Sequence, residues 1–322
     1  MTVSRAGTGQ PVPGVIDTIG TAYALLNRRP YLILVLVALD VVYWLGPRLS
    51  PESFFGAVAD WLASVGADQQ ALNLVRDSGA QFGNVAPLLS ILVPTLAFTL
   101  GAGAFPTVPG ASPVVDLPWW LVPFAAPTLA CAGVVLGMGY LTMLARLLRG
   151  QPVLDRQLPR AIAVNGGRMI AFYLMLVGLA LLVLLPVSFT AAFGLLIGIG
   201  GFVLPMVSLF VFVLSLWAFL LTFFVEEAIV LSQAGPLRAL FLSYQVLRSH
   251  FWQVLRFILV VLLIQIGSPV VLSLFLRTPW GVPFASVSFA YLVTGLTLAA
   301  LIFYRDRLSS ALTDQAVKHS RS

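Results

Sequence analysis

Charge is scarce in this chain of 322 residues: Asp, Glu, Lys and Arg together make up 9% of it, against about 25% in a soluble domain. A water-facing surface of normal size cannot be built from that stock. Cysteine is nearly absent too. Cys131 stands alone, which excludes an intrachain disulfide, and the two histidines, His250 and His319, cannot by themselves assemble a zinc site. No metal and no cofactor is expected. A Walker loop, an HExxH helix, a G-x-S-x-G elbow and a paired-cysteine motif are all missing, so an enzyme is disfavoured.

What the chain has instead is apolar length. Hydrophobic residues make up 59% of it, in runs that reach the ~20 residues a helix needs to cross ~30 Å of hydrocarbon. Barrel strands alternate rather than run apolar throughout, so a transmembrane β-barrel is excluded. The expected fold is an all-α integral membrane protein with about six transmembrane helices: Tyr31 to Leu45, Trp119 to Leu144, Met169 to Phe193, Phe202 to Val225, Trp252 to Leu276 and Phe284 to Tyr304. The first apolar run starts too late for a cleaved signal peptide and is read as a retained span.

A seventh apolar stretch, Val85 to Phe105, is interrupted by Pro87, Pro94, Gly101 and Gly103. Lys and Arg concentrate in cytoplasmic loops. With six spans and both termini inside, Arg5, Arg28, Arg29, Arg146, Arg149, Arg156, Arg160 and Arg168 fall on the cytoplasmic side, together with Arg238, Arg248, Arg256, Arg305, Arg307, Lys318 and Arg321. Only Arg48, Arg76 and Arg277 stay outside. A seventh crossing would put Arg146 to Arg168 on the wrong side, so Val85 to Phe105 is expected to be re-entrant or to lie on the external surface. The formal charge of +6 then reports membrane topology, and no nucleic-acid partner is expected.

The layout divides into a cytoplasmic amphipathic lead-in (1–30), a single membrane domain (31–310) with an external insertion at 48–117, and a cytoplasmic tail (311–322). In the insertion, Ser50-Pro51 predicts a helix start with Ser as N-cap. Phe54, Val58, Trp61 and Val65 follow at helical spacing. Three outgoing spans are each introduced by a short amphipathic stretch and a polar joint: Asn27-Arg28-Arg29-Pro30, Asn165-Gly166-Gly167-Arg168 and Arg248-Ser249-His250. This predicts three hairpins, each preceded by an interfacial helix suited to anionic headgroups.

Two sets of residues stand out as candidate sites. Asp40 is a carboxylate well inside a span and must be paired, wet or protonated; Gln265 is the other strongly polar group within one. Glu226 and Glu227 end the fourth span at the inner interface. Adjacent acids on a helix point about 100° apart, which predicts that they do not share one partner and that one pairs with Arg168, Arg238 or Arg256. The helix opened by Gly235-Pro236 offers Arg238, Arg248 and His250 to anionic lipid. Small-residue pairs, Gly133 with Gly137 and Gly194 with Gly198, permit close helix approach, the second in an outer turn.

The run Phe224-Val225-Glu226-Glu227-Ala228-Ile229-Val230-Leu231, then Gly235-Pro236-Leu237-Arg238-Ala239-Leu240, Ser243 and His250-Phe251-Trp252, resembles uncharacterised bacterial six-span membrane proteins. That group includes the membrane portion fused to some glycerophosphodiester phosphodiesterases. The resemblance implies six spans, an acidic end to the fourth, an inner amphipathic helix and a bacterial plasma membrane. In the fusions hydrolysis belongs to a separate soluble barrel, for which this chain has no room, so no catalytic residue carries over. The expected function is a non-enzymatic membrane protein that binds lipids or a membrane-protein partner. The alternatives are a transporter or channel for a small solute, ion or lipid, and a lipid-acting membrane enzyme.

Overall fold

A computed structural model of the chain describes residues 13–81, 83–101, 105–106 and 113–321. Arg5 and the start of the lead-in lie outside the described residues, as do 102–104 and 107–112 of the insertion. Among the described residues the fold is all-α apart from one two-stranded sheet. Five helical stretches among them are long and apolar enough to cross a membrane: Val122–Leu148, Leu158–Gly194, Gly200–Ser232, Phe251–Arg277 and Gly281–Ala311. The first expected span, Tyr31 to Leu45, falls on Pro30–Leu45, which is helical and apolar but shorter.

The last helix, α12 (Gly281–Arg321), is the axis of the molecule. It touches α1 (Val15–Asn27), α2 (Leu34–Leu45), α5 (Leu96–Leu100), α6 (Val122–Leu148), α9 (Val225–Ser232), α10 (Pro236–Ser249) and α11 (Phe251–Leu272). Burial follows from that position: 72% of its apolar window is inside the protein, against 6% and 11% for α7 (Leu158–Leu196) and α8 (Gly200–Thr222). Those two helices pack on each other and turn Leu182, Phe189, Phe202 and Phe212 outward. A surface of that composition is suited to hydrocarbon.

The amphipathic stretches gather around the second half of α12. α1 runs antiparallel to it, with the Tyr23 hydroxyl donating to Leu292 O at 2.9 Å and Arg307 donating to Pro13 O at 2.8 Å. α9 meets it through Ser232 and Tyr304, whose hydroxyls are 3.3 Å apart, and α10 packs alongside. α1 and α10 are separate helices closed by the expected joints, since the next elements begin at Pro30 and Phe251. The middle unit differs. α7 continues unbroken through Asn165-Gly166-Gly167-Arg168, because Gly166 packs against Val135 of α6 and Asn165 donates to Thr142 Oγ1 at 3.1 Å, so neighbours support the helix where its own propensity is low.

The external insertion contains two paired helices, α3 (Glu52–Ser64) and α4 (Gln69–Gln81). Its ends are joined by a short parallel ladder, β1 (Arg48–Ser50) with β2 (Val114–Asp116), which the sequence reading did not foresee. The start of α3 is shifted by one residue from expectation: Pro51 occupies the N-cap position, and Ser50, committed to β1, accepts from Glu52 N.

Candidate functional site

The broken apolar stretch does not lie on the outer surface. A 3-10 turn (Ala86–Ser90), a bend and α5 wedge between α2, α6, α11 and α12, with Ser90, Thr95 and Leu96 fully buried. Gly133 and Gly137 make room for it on α6. A Cβ at Gly133 would stand 2.3 Å from Leu88 O, and one at Gly137 2.4 Å from Leu92 Cβ. The small-residue pair therefore receives an irregular backbone rather than a neighbouring helix.

Asp40 holds this segment in place. Its Oδ1 accepts from Ala97 N at 2.9 Å at the start of α5, while Tyr43 and Ser90 hydroxyls meet at 2.7 Å one turn further along α2. Between Ser90 and α5 the carbonyls of Ile91, Leu92 and Val93 accept no hydrogen bond from the described residues. Irregular backbone of this kind is tolerated at membrane depth only where it is buried in protein or lines a cavity.

A second interruption faces it. α8 stops at Thr222 and α9 begins at Val225, although no proline or glycine stands between them. Helices α6, α7, α8 and α11 run through Pro127, Pro186, Pro205 and Pro269. Ser243 of α10 stabilises the break by donating to Leu221 O at 2.7 Å and accepting from Phe224 N at 3.3 Å, so one hydroxyl satisfies two backbone groups the interrupted helix leaves over. Phe224 stacks on Phe303, which stacks on Phe257, with ring centroids 5.8 and 4.4 Å apart.

Between the two interruptions lies a cavity of about 360 Å³. Ile91 to Pro94 form one wall, and Tyr140, Thr222, Glu226, Glu227, Gln265 and Thr297 supply the polar lining. Hydrogen-bond direction turns its hydroxyls into acceptors, while Gln265 adds an amide that can both donate and accept. Tyr140 gives its proton to Thr294 Oγ1 at 2.6 Å, Thr297 to Val293 O at 2.9 Å and Thr222 to Ala218 O at 2.8 Å, so these hydroxyls keep only lone pairs to offer. Glu227 is 6% exposed and its buried Oε2 has no hydrogen-bond partner among the described residues. No lysine or arginine among them lines the space.

This arrangement corrects two expectations. Glu226 and Glu227 do face one cavity, because it wraps around the first turn of α9, where flexible side chains from adjacent positions both reach it. Neither forms an ion pair among the described residues; Arg168 instead donates to Gln233 O at 2.7 Å and Arg149 to Val230 O and Leu231 O at 3.2 and 2.5 Å, at the far end of α9. Gln265 joins the glutamates in the cavity, whereas Asp40 lies apart from them on α2, where it holds the start of α5. Arg238 and Arg248 are exposed on α10 and His250 caps α11, all outside this lining. Tyr140, Thr222 and Thr297 were not singled out in the sequence; residues of these kinds are ordinary in apolar spans, and only their convergence with the broken stretch around Pro94 distinguishes them.

No family model, curated protein or solved structure matches the chain. The resemblance described above therefore rests on the quoted residues alone.

Proposed function

We propose that the chain is a multi-pass transporter that binds a small cationic solute between its two interrupted segments. The observation that carries this reading is the acceptor-rich lining around Glu226 and Glu227, which holds no lysine or arginine among the described residues, with a buried Glu227 oxygen left unpartnered among them. The start of α9 contributes the equivalent of about half a positive charge. Two ionised carboxylates exceed that roughly fourfold, and the balance must come from protons or a bound cation. A site that takes either is suited to exchanging one for the other.

The supporting architecture is a re-entrant segment opposite a discontinuous helix. Unwound carbonyls and half-helix ends recur as ion-binding elements in secondary transporters. On this reading both termini are cytoplasmic, and the amphipathic helices around the second half of α12 form the inner layer. The transporter reading takes precedence over simple lipid or partner binding because neither of those uses an internal acidic cavity.

The test is thermal melting of the purified protein in nanodiscs with Na⁺, K⁺, choline, guanidinium and spermidine at constant ionic strength, followed by proton-flux measurements on proteoliposomes that enclose a pH-sensitive dye. At least one cation should raise the melting temperature and, added outside, drive protons out of the vesicles, and Glu227→Gln and Glu226→Gln should each remove both. A wild type indifferent to every cation, or glutamine variants that respond as it does, would rule the reading out.

A further inference from the structure

A second cavity, of about 470 Å³, opens at the other end of α9, between the last turns of α6 and the first turns of α7. Its wall carries Arg146, Arg149, Arg160 and Arg168, and no carboxylate among the described residues lines it. Two of the four are held from behind: Arg149 and Arg168 donate to the carbonyls that end α9, as described above, which fixes their guanidinium groups while leaving other N–H donors unused. Arg146 is 9% exposed, forms no side-chain hydrogen bond among the described residues, and has one ion-pair partner, Asp155, at 4.0 Å. Arg160 forms neither a hydrogen bond nor an ion pair among them.

One carboxylate does not balance four guanidinium groups. The C-terminal end of α9 adds only about half a negative charge. Gathering like charges around a partly enclosed space is unfavourable unless an anion occupies it, and planar guanidinium groups match the paired oxygens of phosphate better than a single ammonium does. The amides of Gln151, Gln157 and Gln233 add neutral donors to the same wall. The volume exceeds what a bare phosphate needs and suits a phosphate carrying a small organic group.

We infer that this pocket binds a phosphate-bearing anion. The phosphate belongs either to the headgroup of an anionic membrane lipid or to a soluble phosphate compound, and the lining is suited to both. The site is separate from the acidic cavity: α9 lies between them, with its glutamates at one end and its arginine-capped carbonyls at the other.

The experiment uses the full chain in nanodiscs and reads melting temperature and apparent affinity. One arm compares phosphatidylcholine discs with discs carrying increasing phosphatidylglycerol; the other titrates inorganic phosphate into phosphatidylcholine discs, with chloride at matched ionic strength. Stabilisation by phosphatidylglycerol assigns the site to a lipid headgroup, and stabilisation by inorganic phosphate above chloride assigns it to a soluble ligand. Either response should weaken about tenfold in Arg160→Gln, an exposed side chain whose loss leaves the fold intact, and further in Arg146→Gln. Glu227→Gln, which alters only the other cavity, is the matched control. The inference fails if neither anion stabilises the wild type, or if Arg160→Gln responds as the wild type does.

Discussion

The Tyr23 ring fills the space that a side chain at Gly295 would need: a Cβ built there would lie 2.2 Å from Tyr23 Cε1. The ring packs 5.3 Å from that of Tyr291, whose hydroxyl donates to Asn27 Oδ1 at 2.9 Å. One glycine on α12 thereby sets where α1 crosses it, and with it the position of the helix that leads into α2 and Asp40.

Gly295→Ala should destabilise the protein by about 1–3 kcal/mol through overpacking. Combining it with Tyr23→Ala should cost less than the sum of the two single changes, since the ring is what the new methyl meets. Melting of the two single variants and the double variant in detergent measures the coupling; additive losses would show that the contact does not control the crossing.

The same tyrosine gives a pH dependence. Burial, with Tyr291 beside it, pushes the Tyr23 hydroxyl up to about 12 from its ordinary value of 10.0. The folded state therefore holds this proton more tightly than the unfolded chain. The stability it contributes is complete below about pH 10 and is lost as pH rises through 12. Tyr23→Phe should lower stability at neutral pH by about 1 kcal/mol and reduce the loss between pH 10 and 12; an unchanged alkaline profile would contradict the assignment.

Five long apolar helices and the lead-in helices α1 and α10 were legible because apolar length and helical periodicity are local properties of the sequence. Polar joints such as Arg248-Ser249-His250 were equally local. Of the two interruptions, the first was legible as a broken apolar stretch through Pro87, Pro94, Gly101 and Gly103, and the second was not. Helices α6, α7, α8 and α11 absorb the prolines within them, whereas the break at Phe223 and Phe224 has no such local marker and depends on a hydroxyl from Ser243 in another element. Glu226 and Glu227 were identifiable as unusual. Their shared cavity was not, because a 100° spacing argument describes the middle of a straight helix rather than its first turn beside a bend.

Ser243→Ala should accordingly cost about 1–2 kcal/mol, leaving one buried amide and one carbonyl unpaired at the interruption. Ser243→Thr keeps the hydroxyl and should recover part of the loss. Because Glu226 and Glu227 begin α9 immediately after the break, the alanine variant should also weaken any cation-induced rise in melting temperature. A stability loss with an unchanged cation response would confine Ser243 to support of the fold.

Gly137→Ala should act on the opposite wall, since its Cβ would collide with Leu92 in the segment that borders the cavity. Gly133→Ala is the more severe change. The atom it meets is the Leu88 carbonyl, and backbone cannot swing aside as a side chain does. The expected order of stability is wild type, then Gly137→Ala, then Gly133→Ala, with losses of about 1–3 kcal/mol or more. Equal tolerance of both changes would show that the irregular segment is not packed against α6.

Asp40 separates support from chemistry. Its carboxylate satisfies a backbone amide at the start of α5, and an amide side chain offers a similar acceptor oxygen in nearly the same place. Asp40→Asn should therefore keep most of the stability and most of the cation response. Asp40→Ala leaves Ala97 N without its acceptor inside a buried site and should cost about 1–3 kcal/mol. Were Asp40 itself a charge-carrying ligand, the asparagine and alanine variants would lose the cation response alike, and the asparagine variant would do so while melting close to the wild type. Melting temperature and cation titration on the same three proteins decide between a residue that positions the segment and one that binds the solute.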